Sequence, residues 1–439
     1  MITQKRKLNF DKALALASRA QQFIPGITQT ASKRPEAFAP GAFPDFIERA
    51  QGSRVWDVDG NEYIDFVMAC GPVTLGYCYP EVDHAIQTQL ARGIIFSRPG
   101  ALEAEVAELL AEIVPSAEMT RFFKGGAEAN SAALRLARAF TGRTRVASCG
   151  YRGWHDQWAV VHTPRGIPHC LAELIHEFKY NDLQSLETLL ENDPHQFAAV
   201  IIDPVSAETP QENFLRGVQA LAHKHGALLI FDEIVTGFRL APGGAQAYFG
   251  VTPDLAVFAK GIANGMPLSA VVGRRDVMQM ATQVFMTLTY GDEQLSLAAA
   301  RATLNVLRTQ DVCGHIWRAG RRLVQGVKQI IEETGTPFAF RGVEAMPAFV
   351  ATQQFAGKPL TGEEQNCAWY YLLAELAQHG ILWRKHSLIL PSYSHTEQDI
   401  DRAVEAMGYV LSDLRDLLAA GKLRQAVPVT DLPIGFKRL

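Results

Sequence analysis

The feature that most constrains this chain is an alternation of continuous apolar segments with helical repeats. Arg121-Phe122-Phe123, Val146-Ala147-Ser148, Ala198-Ala199-Val200-Ile201-Ile202, residues 227–231, Val257-Phe258 and Ser269-Ala270-Val271-Val272 read as short strands. Residues 126–142, 183–192 and 213–225 between them carry helical spacing. Strands that are apolar on both faces must be covered twice, so the pattern implies an α/β fold with a mostly parallel sheet between helices. Beyond Gly335 the pattern changes to a strand near 346–352, a helix over 364–379, a strand over 381–384 and a long helix over 397–419, a smaller α+β domain. Upstream, alternating runs flank Asp59-Gly60-Asn61, which predicts a hairpin because Gly and Asn accept positive φ. The expected organisation is an N-terminal segment (1–75) packing with the small domain, a large domain (76–315) and a C-terminal small domain (316–439).

Bulk properties remove several function classes. A chain of 439 residues with 48% hydrophobic and 20% charged residues suits an ordinary globular protein. Its formal net charge of −4, with no run of Lys and Arg, does not indicate a nucleic-acid surface. Cys70, Cys78, Cys149, Cys170, Cys313 and Cys367 show no CxxC spacing and read as thiols of a reducing compartment, not as a zinc site or disulfide framework. No metal site is expected. The basic start, Met1-Ile2-Thr3-Gln4-Lys5-Arg6-Lys7, has no apolar core after it, so no signal peptide is expected. No apolar run approaches the roughly 20 residues that span a bilayer. A cytoplasmic location is the expectation.

Two of the apolar strands end on ionisable residues, Asp232 after Leu228-Leu229-Ile230-Phe231 and Lys260 after Leu255-Ala256-Val257-Phe258-Ala259. Either charge is costly to bury alone. Side by side around a cofactor they make chemical sense. An Asp holds a proton on a pyridine nitrogen and a Lys forms an imine with an aldehyde, which is the protein half of pyridoxal 5′-phosphate (PLP) chemistry. Lys124-Gly125-Gly126-Ala127-Glu128 lies between a strand and a helix, where backbone N–H groups can approach a phosphate. In Gly150-Tyr151-Arg152-Gly153-Trp154-His155-Asp156, Tyr151 could stack on one face of a flat ring while Ile234 covers the other. Glu208 could meet the cofactor's phenolic oxygen or the substrate, whereas Asp203 reads as a polar loop residue and His155 as structural. Each stretch has a plainer reading: a Gly-containing turn, loop aromatics packed on a core, a snorkelling Lys, or an Asp on a metal beside a nucleotide. The last lacks its GxxxxGK[ST] loop.

Taken together, these residues resemble the class III, fold type I PLP-dependent aminotransferases, glutamate-1-semialdehyde 2,1-aminomutase among them. The resemblance runs from about residue 25 to about residue 405. Its most specific stretches are Val55 to Asp65, Ala133 to Arg143, and Phe231 through Pro267. It implies that Lys260 is the Schiff-base lysine and proton carrier and that Asp232 partners the pyridine nitrogen. Tyr151 and Ile234 become the two ring faces, and Gly125, Gly126 and Ala127 the phosphate loop. It also implies a homodimer with active sites at the interface, in which Thr289 reaches a neighbouring subunit's phosphate. Trp154, Glu208, Arg384 and His386 are the candidate substrate contacts.

Three departures stand out. The usual Ser-Gly-Thr phosphate loop is Gly125-Gly126-Ala127, and the usual Gly-Asn-Pro is Asp292-Glu293-Gln294. Ser32 occupies the place of the aminomutase's carboxylate-binding arginine, with Lys33 and Arg34 adjacent. The function implied is an aminotransferase moving an amino group between an amino donor and a carbonyl acceptor through a Lys aldimine and pyridoxamine phosphate. The aminomutase's intramolecular shift, a PLP-dependent racemase and a non-enzymatic small-molecule-binding α/β protein are the alternatives.

Overall fold

The computed structural model describes residues 8–427, and the chain divides into two units. The basic Met1–Lys7 stretch lies outside the described residues. The larger unit takes Gly71–Thr74 and Tyr79–Gly314, and the smaller takes residues up to Cys70, Leu75–Cys78 and the chain from His315 onward. The division therefore crosses the chain several times between 70 and 79, where a single boundary at 75 was expected.

The larger unit is built on a seven-stranded sheet. Its strands are β1 (Met119–Phe123), β2 (Arg145–Cys149), β3 (Ile175–Glu177), β4 (Phe197–Ile202), β5 (Leu228–Asp232), β6 (Leu255–Phe258) and β7 (Ser269–Gly273), in the spatial order β1-β7-β6-β5-β4-β2-β3. Strands β6, β5, β4, β2 and β3 run parallel, and β7 is antiparallel to both β1 and β6. Every residue of β4, β5, β6 and β7 is buried. That matches their unbroken apolar sequences, because helices cover a parallel sheet on both faces. One of these helices, α1 (Gly126–Thr141), buries Ala129, Ala133, Leu136 and Ala137 and ends where Gly142 takes the left-handed conformation at φ 68°. β3 was not anticipated, since Ile175-His176-Glu177 is short and partly polar, as suits the sheet's edge.

In the smaller unit the hairpin around Asp59-Gly60-Asn61 joins Arg54–Asp57 to Glu62–Asp65. Ile381–Leu382 then pairs parallel with Ile64–Asp65, which ties the start of the chain to its C-terminal part. The edge strand Ile47–Gln51 has the polar, largely exposed sequence IERAQ, which gave no strand signal. The long helix Glu397–Ala419 begins in a capping box between Thr396 and Asp399. Asp399 is almost fully buried and also accepts from Ser53 Oγ (2.9 Å) and Arg54 Nη2 (2.7 Å). No helix among the described residues is long and apolar enough to cross a membrane.

Asp399 thus joins a helix start to a hairpin strand. Burial would raise its pKa, but the Thr396 N–H, Arg54 and Ser53 outweigh that and leave it below the ordinary value. Asp399→Ala should cost about 2–4 kcal/mol by stranding those donors. A depressed carboxylate stabilises above its unfolded pKa and loses that effect as pH falls through the folded one. Urea unfolding should therefore show the full deficit at neutral pH and a smaller one below about pH 4.

Candidate active site

Strand ends build this site. In parallel sheets, ligands bind beyond the carboxyl ends of the strands. The register sets Ile202 opposite Phe231, Asp232 opposite Val257, and Cys149 opposite Ile202. Four adjacent strands therefore deliver the Tyr151–Arg152 turn (β2), Asp203 (β4), Asp232 (β5) and Lys260 (β6) at one edge of the sheet. Lys260 opens a short 3-10 turn with φ 44°, in the left-handed region that non-glycine residues avoid. Strain of this kind collects at functional positions.

Asp232 is 4% exposed and its oxygens are held in place. Oδ1 accepts from the Ile234 N–H at 3.1 Å. Oδ2 accepts from Asn130 Nδ2 at 2.8 Å and from Arg152 Nη1 at 3.2 Å. A carboxylate offers about four acceptor positions, so there is room for another donor. Arg152, 3% exposed, also reaches Asp203 Oδ1 at 2.6 Å, and its other terminal nitrogen bonds the Cys149 carbonyl. Burial opposes the Arg152 charge, but Asp203 and Asp232 more than offset it and raise its pKa. Burial, with the Asp232 charge adding, pushes Asp203 up to about 7 against the pull of Arg152, although a quarter of its side chain stays exposed.

The first turn of α1 carries the glycine loop. Its leading N–H groups have no carbonyl one turn back to bond. Glu128 takes the N–H groups of Lys124 (3.1 Å) and Gly125 (3.4 Å), and the N–H groups of the next residues begin the helix. A Cβ at Gly126 would lie 2.6 Å from Ile234 Cδ1, so the absent side chain is what lets Ile234 approach α1. Gly153, at φ 100°, would meet the Ala127 side chain at 2.3 Å. The β2 loop is therefore drawn against the same turn. Ser131 fastens it there, bonding His155 Nδ1 (2.9 Å) and accepting from Trp158 Nε1 (3.2 Å), so His155 has a structural role. Lys124 pairs with Glu293 at 3.1 Å, and Glu293 caps the helix Gln294–Thr309. The departure from Gly-Asn-Pro thus supplies a helix cap and an ion pair.

The remaining candidates are more dispersed. Tyr151 is 42% and Trp154 75% exposed, and Glu208 and Thr289 are exposed as well. Arg384 and His386 belong to the smaller unit. There Arg384 donates to the Ser32 carbonyl (3.1 Å) and to Ser387 Oγ, and the His386 ring packs on Trp369. Sequence reasoning missed Asn130 and Arg152 and undervalued Asp203. A signal existed for Arg152, because an arginine enclosed by Tyr151 and Gly153 immediately after a strand has little room to reach solvent.

A family model described as aminotransferase class-III matches residues 38–411. The chain belongs to this family. It is 37% identical over 422 residues to the 3-aminobutyryl-CoA aminotransferase of Cloacimonas acidaminovorans, covering 94% of this chain and 99% of that one. It is also 37% identical to a glutamate-1-semialdehyde 2,1-aminomutase of Desulforamulus reducens, covering 91% and 97%. Among solved structures, the FumI protein of Sphingopyxis sp. MTA144 in its PLP internal aldimine form superposes with a TM-score of 0.86 at 28% identity, over 93% of this chain and 97% of that one. This class-III aminotransferase has fold type I architecture and uses pyridoxal 5′-phosphate.

The residues present fit that cofactor. One guanidinium stands against two carboxylates in the buried cluster, so with both acids ionised the cluster would admit one further cation such as a protonated pyridine nitrogen. Asn130 Oδ1 is buried and no donor among the described residues reaches it, so a bound group can satisfy it. The unbonded N–H groups at the start of α1 suit a phosphate.

A raised carboxylate stabilises the fold below its unfolded pKa and loses that contribution as pH rises through the folded one. The groups facing Asp203 are Arg152, Asp232, Cys149 and Tyr180. In cofactor-free protein, raising the pH from 5 to 8 should therefore lower the melting temperature of the wild type relative to Asp203→Asn, by about 2–4 °C. A difference independent of pH would contradict the raised value.

Proposed function

We propose that this class-III aminotransferase uses Lys260 as its cofactor-bearing lysine and Asp232 as the partner of the ring nitrogen. The observation that carries the reading is that neighbouring parallel strands end at Asp232 and two residues short of Lys260, with Asp232 held in a buried cluster of one guanidinium and two carboxylates. PLP, when bound, supplies an aldehyde that takes up the amino group and a ring that accepts the electron pair left by a departing proton. Lys260 would be the residue that holds the aldehyde, and its Nζ, when free, would be the base that moves a proton at the donor carbon. Asp232 would keep a proton on the ring nitrogen, and Tyr151 and Ile234 would cover the two ring faces. The loop Gly125, Gly126 and Ala127 would hold the phosphate through the N–H groups that Glu128 does not take, with help from Thr289 of the partner subunit. Glu208 would meet the cofactor's phenolic oxygen or the substrate, and Trp154 would contact the substrate.

The donor we favour carries its amine on a carbon that bears no carboxylate. Ser32 in place of the aminomutase arginine supports this, as does the relative that acts on 3-aminobutyryl-CoA. Arg384, whose guanidinium reaches the Ser32 carbonyl, is the arginine we assign to a carboxylate on the acceptor. His386, two residues further on, packs its ring on Trp369. The intramolecular amino shift remains the second reading because of the aminomutase relatives. It predicts turnover without a separate acceptor, whereas our reading requires one.

We further propose a cytoplasmic homodimer with shared active sites. All six cysteines are free thiols. Phe285 (85% exposed) and Tyr290 (60%) lie close in sequence to Thr289. A cavity of about 530 Å³ in the same unit, lined in part by Phe96, Arg121, Leu288 and Gly291, adds further surface for a second copy to cover.

Two measurements test these assignments. Lys260→Ala should lose the visible absorbance of the bound cofactor and more than about 10³-fold of turnover. Retained turnover would refute the lysine assignment. Thr289→Ala should weaken cofactor binding by about tenfold, the loss of roughly one charge-assisted hydrogen bond. Dilution to monomer should have a similar effect, and equal retention by monomer and dimer would refute the shared site.

A further inference from the structure

We infer that Arg152 and Asp203 form a positioning pair that sets how firmly Asp232 can keep a proton on the cofactor's ring nitrogen. This rests on the assignment of Asp232 given above. Nη1 of Arg152 stands between two carboxylates, 2.6 Å from Asp203 Oδ1 and 3.2 Å from Asp232 Oδ2. The guanidinium cannot follow either one. Nη1 also bonds the Tyr151 carbonyl at 2.9 Å, and Nη2 bonds the Cys149 carbonyl. Backbone on both sides of the β2 turn therefore holds the cation in place.

A fixed cation against Asp232 Oδ2 competes with the ring nitrogen for the same negative charge. Acting alone, it would neutralise Asp232 and leave a pyridine nitrogen little reason to stay protonated. Asp203 reverses this. It takes the shorter bond to Arg152, and in its ionised form it leaves the three-residue cluster one electron charge negative. The cluster then admits one further buried cation, which the ring nitrogen supplies by holding its proton. Asp203 is anchored for this task, because Oδ2 accepts from the Tyr151 N–H at 3.3 Å. Asn130 steadies the other end by donating to Asp232 Oδ2 and, weakly, to the Arg152 carbonyl at 3.5 Å. Neither Arg152 nor Asp203 needs to touch a substrate for this effect. A purely structural pair would fasten the loop and leave the nitrogen unchanged.

The test loads the full-length enzyme with PLP carrying ¹⁵N in its ring and reads the nitrogen resonance at one neutral pH. Wild type should give the pyridinium position. Asp203→Asn removes the excess charge and should move the resonance toward neutral pyridine. It should also slow the first half-reaction about tenfold, the effect of one unit in a pKa, with little change in KM. Asp203→Glu should restore the wild-type resonance. The double variant Arg152→Gln with Asp203→Asn removes one charge of each sign and should also restore it, which a loop-fastening role does not predict. Melting curves of the cofactor-free variants establish folding. If the double variant does not fold, the Asp203→Asn and Asp203→Glu pair decides alone. A pyridinium resonance in Asp203→Asn overturns the inference. A pyridinium resonance in Asp232→Asn instead overturns the assignment on which it rests, so the two failures are distinguishable.

Discussion

The parallel pairing of β5 with β6 is the constraint on which the rest of this site depends. It is an arrangement of apolar strands, Leu228–Asp232 beside Leu255–Phe258, every residue buried. Burial of that surface, worth about 25 cal/mol per Å² of apolar area, fixes where the strands stop. Because the strands run in the same direction, their carboxyl ends lie together, and the first ionisable residues beyond the apolar stretch share one edge. A slip of one residue would turn Asp232 toward the opposite face of the sheet. Chemistry here is positioned by hydrophobic packing two or three residues away from it.

The second level of organisation is electrostatic. Buried carboxylates raise their own pKa values, and this larger unit contains several. Glu233 shows one solution. It is fully buried, and it accepts from Thr236 Oγ1 and from the N–H groups of Ala245 and Gln246 at the start of a short helix. These bonds partly counter the burial that raises its pKa. The Asp232 cluster is different in kind, since it answers two acids with one cation and leaves an acceptor atom on Asn130 without a donor among the described residues. Glu233 is complete within the protein. In the reading proposed for Asp232, a bound cofactor supplies the further cation that this cluster would admit.

Much of this could be read from the sequence, and the limits have physical causes. The strands of the large sheet declared themselves because a buried parallel strand is apolar throughout, and Asp232 and Lys260 stood out as the polar residues that interrupt such runs. The hairpin at Asp59-Gly60-Asn61 was readable because its turn chemistry is local. Ile47–Gln51 and Ile175–Glu177 were not, since an edge strand can be polar and its pairing is set by distant residues. Arg152 and Asn130 escaped for a related reason. Their meaning lies in contacts with Asp203 and Asp232, 51 to 102 positions away in sequence, and spacing does not encode such contacts. The same is true of Ile234 resting against Gly126, which the glycine permits but does not announce.

The most direct test of the central claim is chemical trapping at the lysine. The PLP-loaded protein is reduced with borohydride, digested, and its peptides weighed for the added pyridoxyl phosphate. The account predicts the added mass on Lys260 alone. Labelling of another lysine, such as Lys124, or no labelled peptide in a protein that binds PLP, would contradict it.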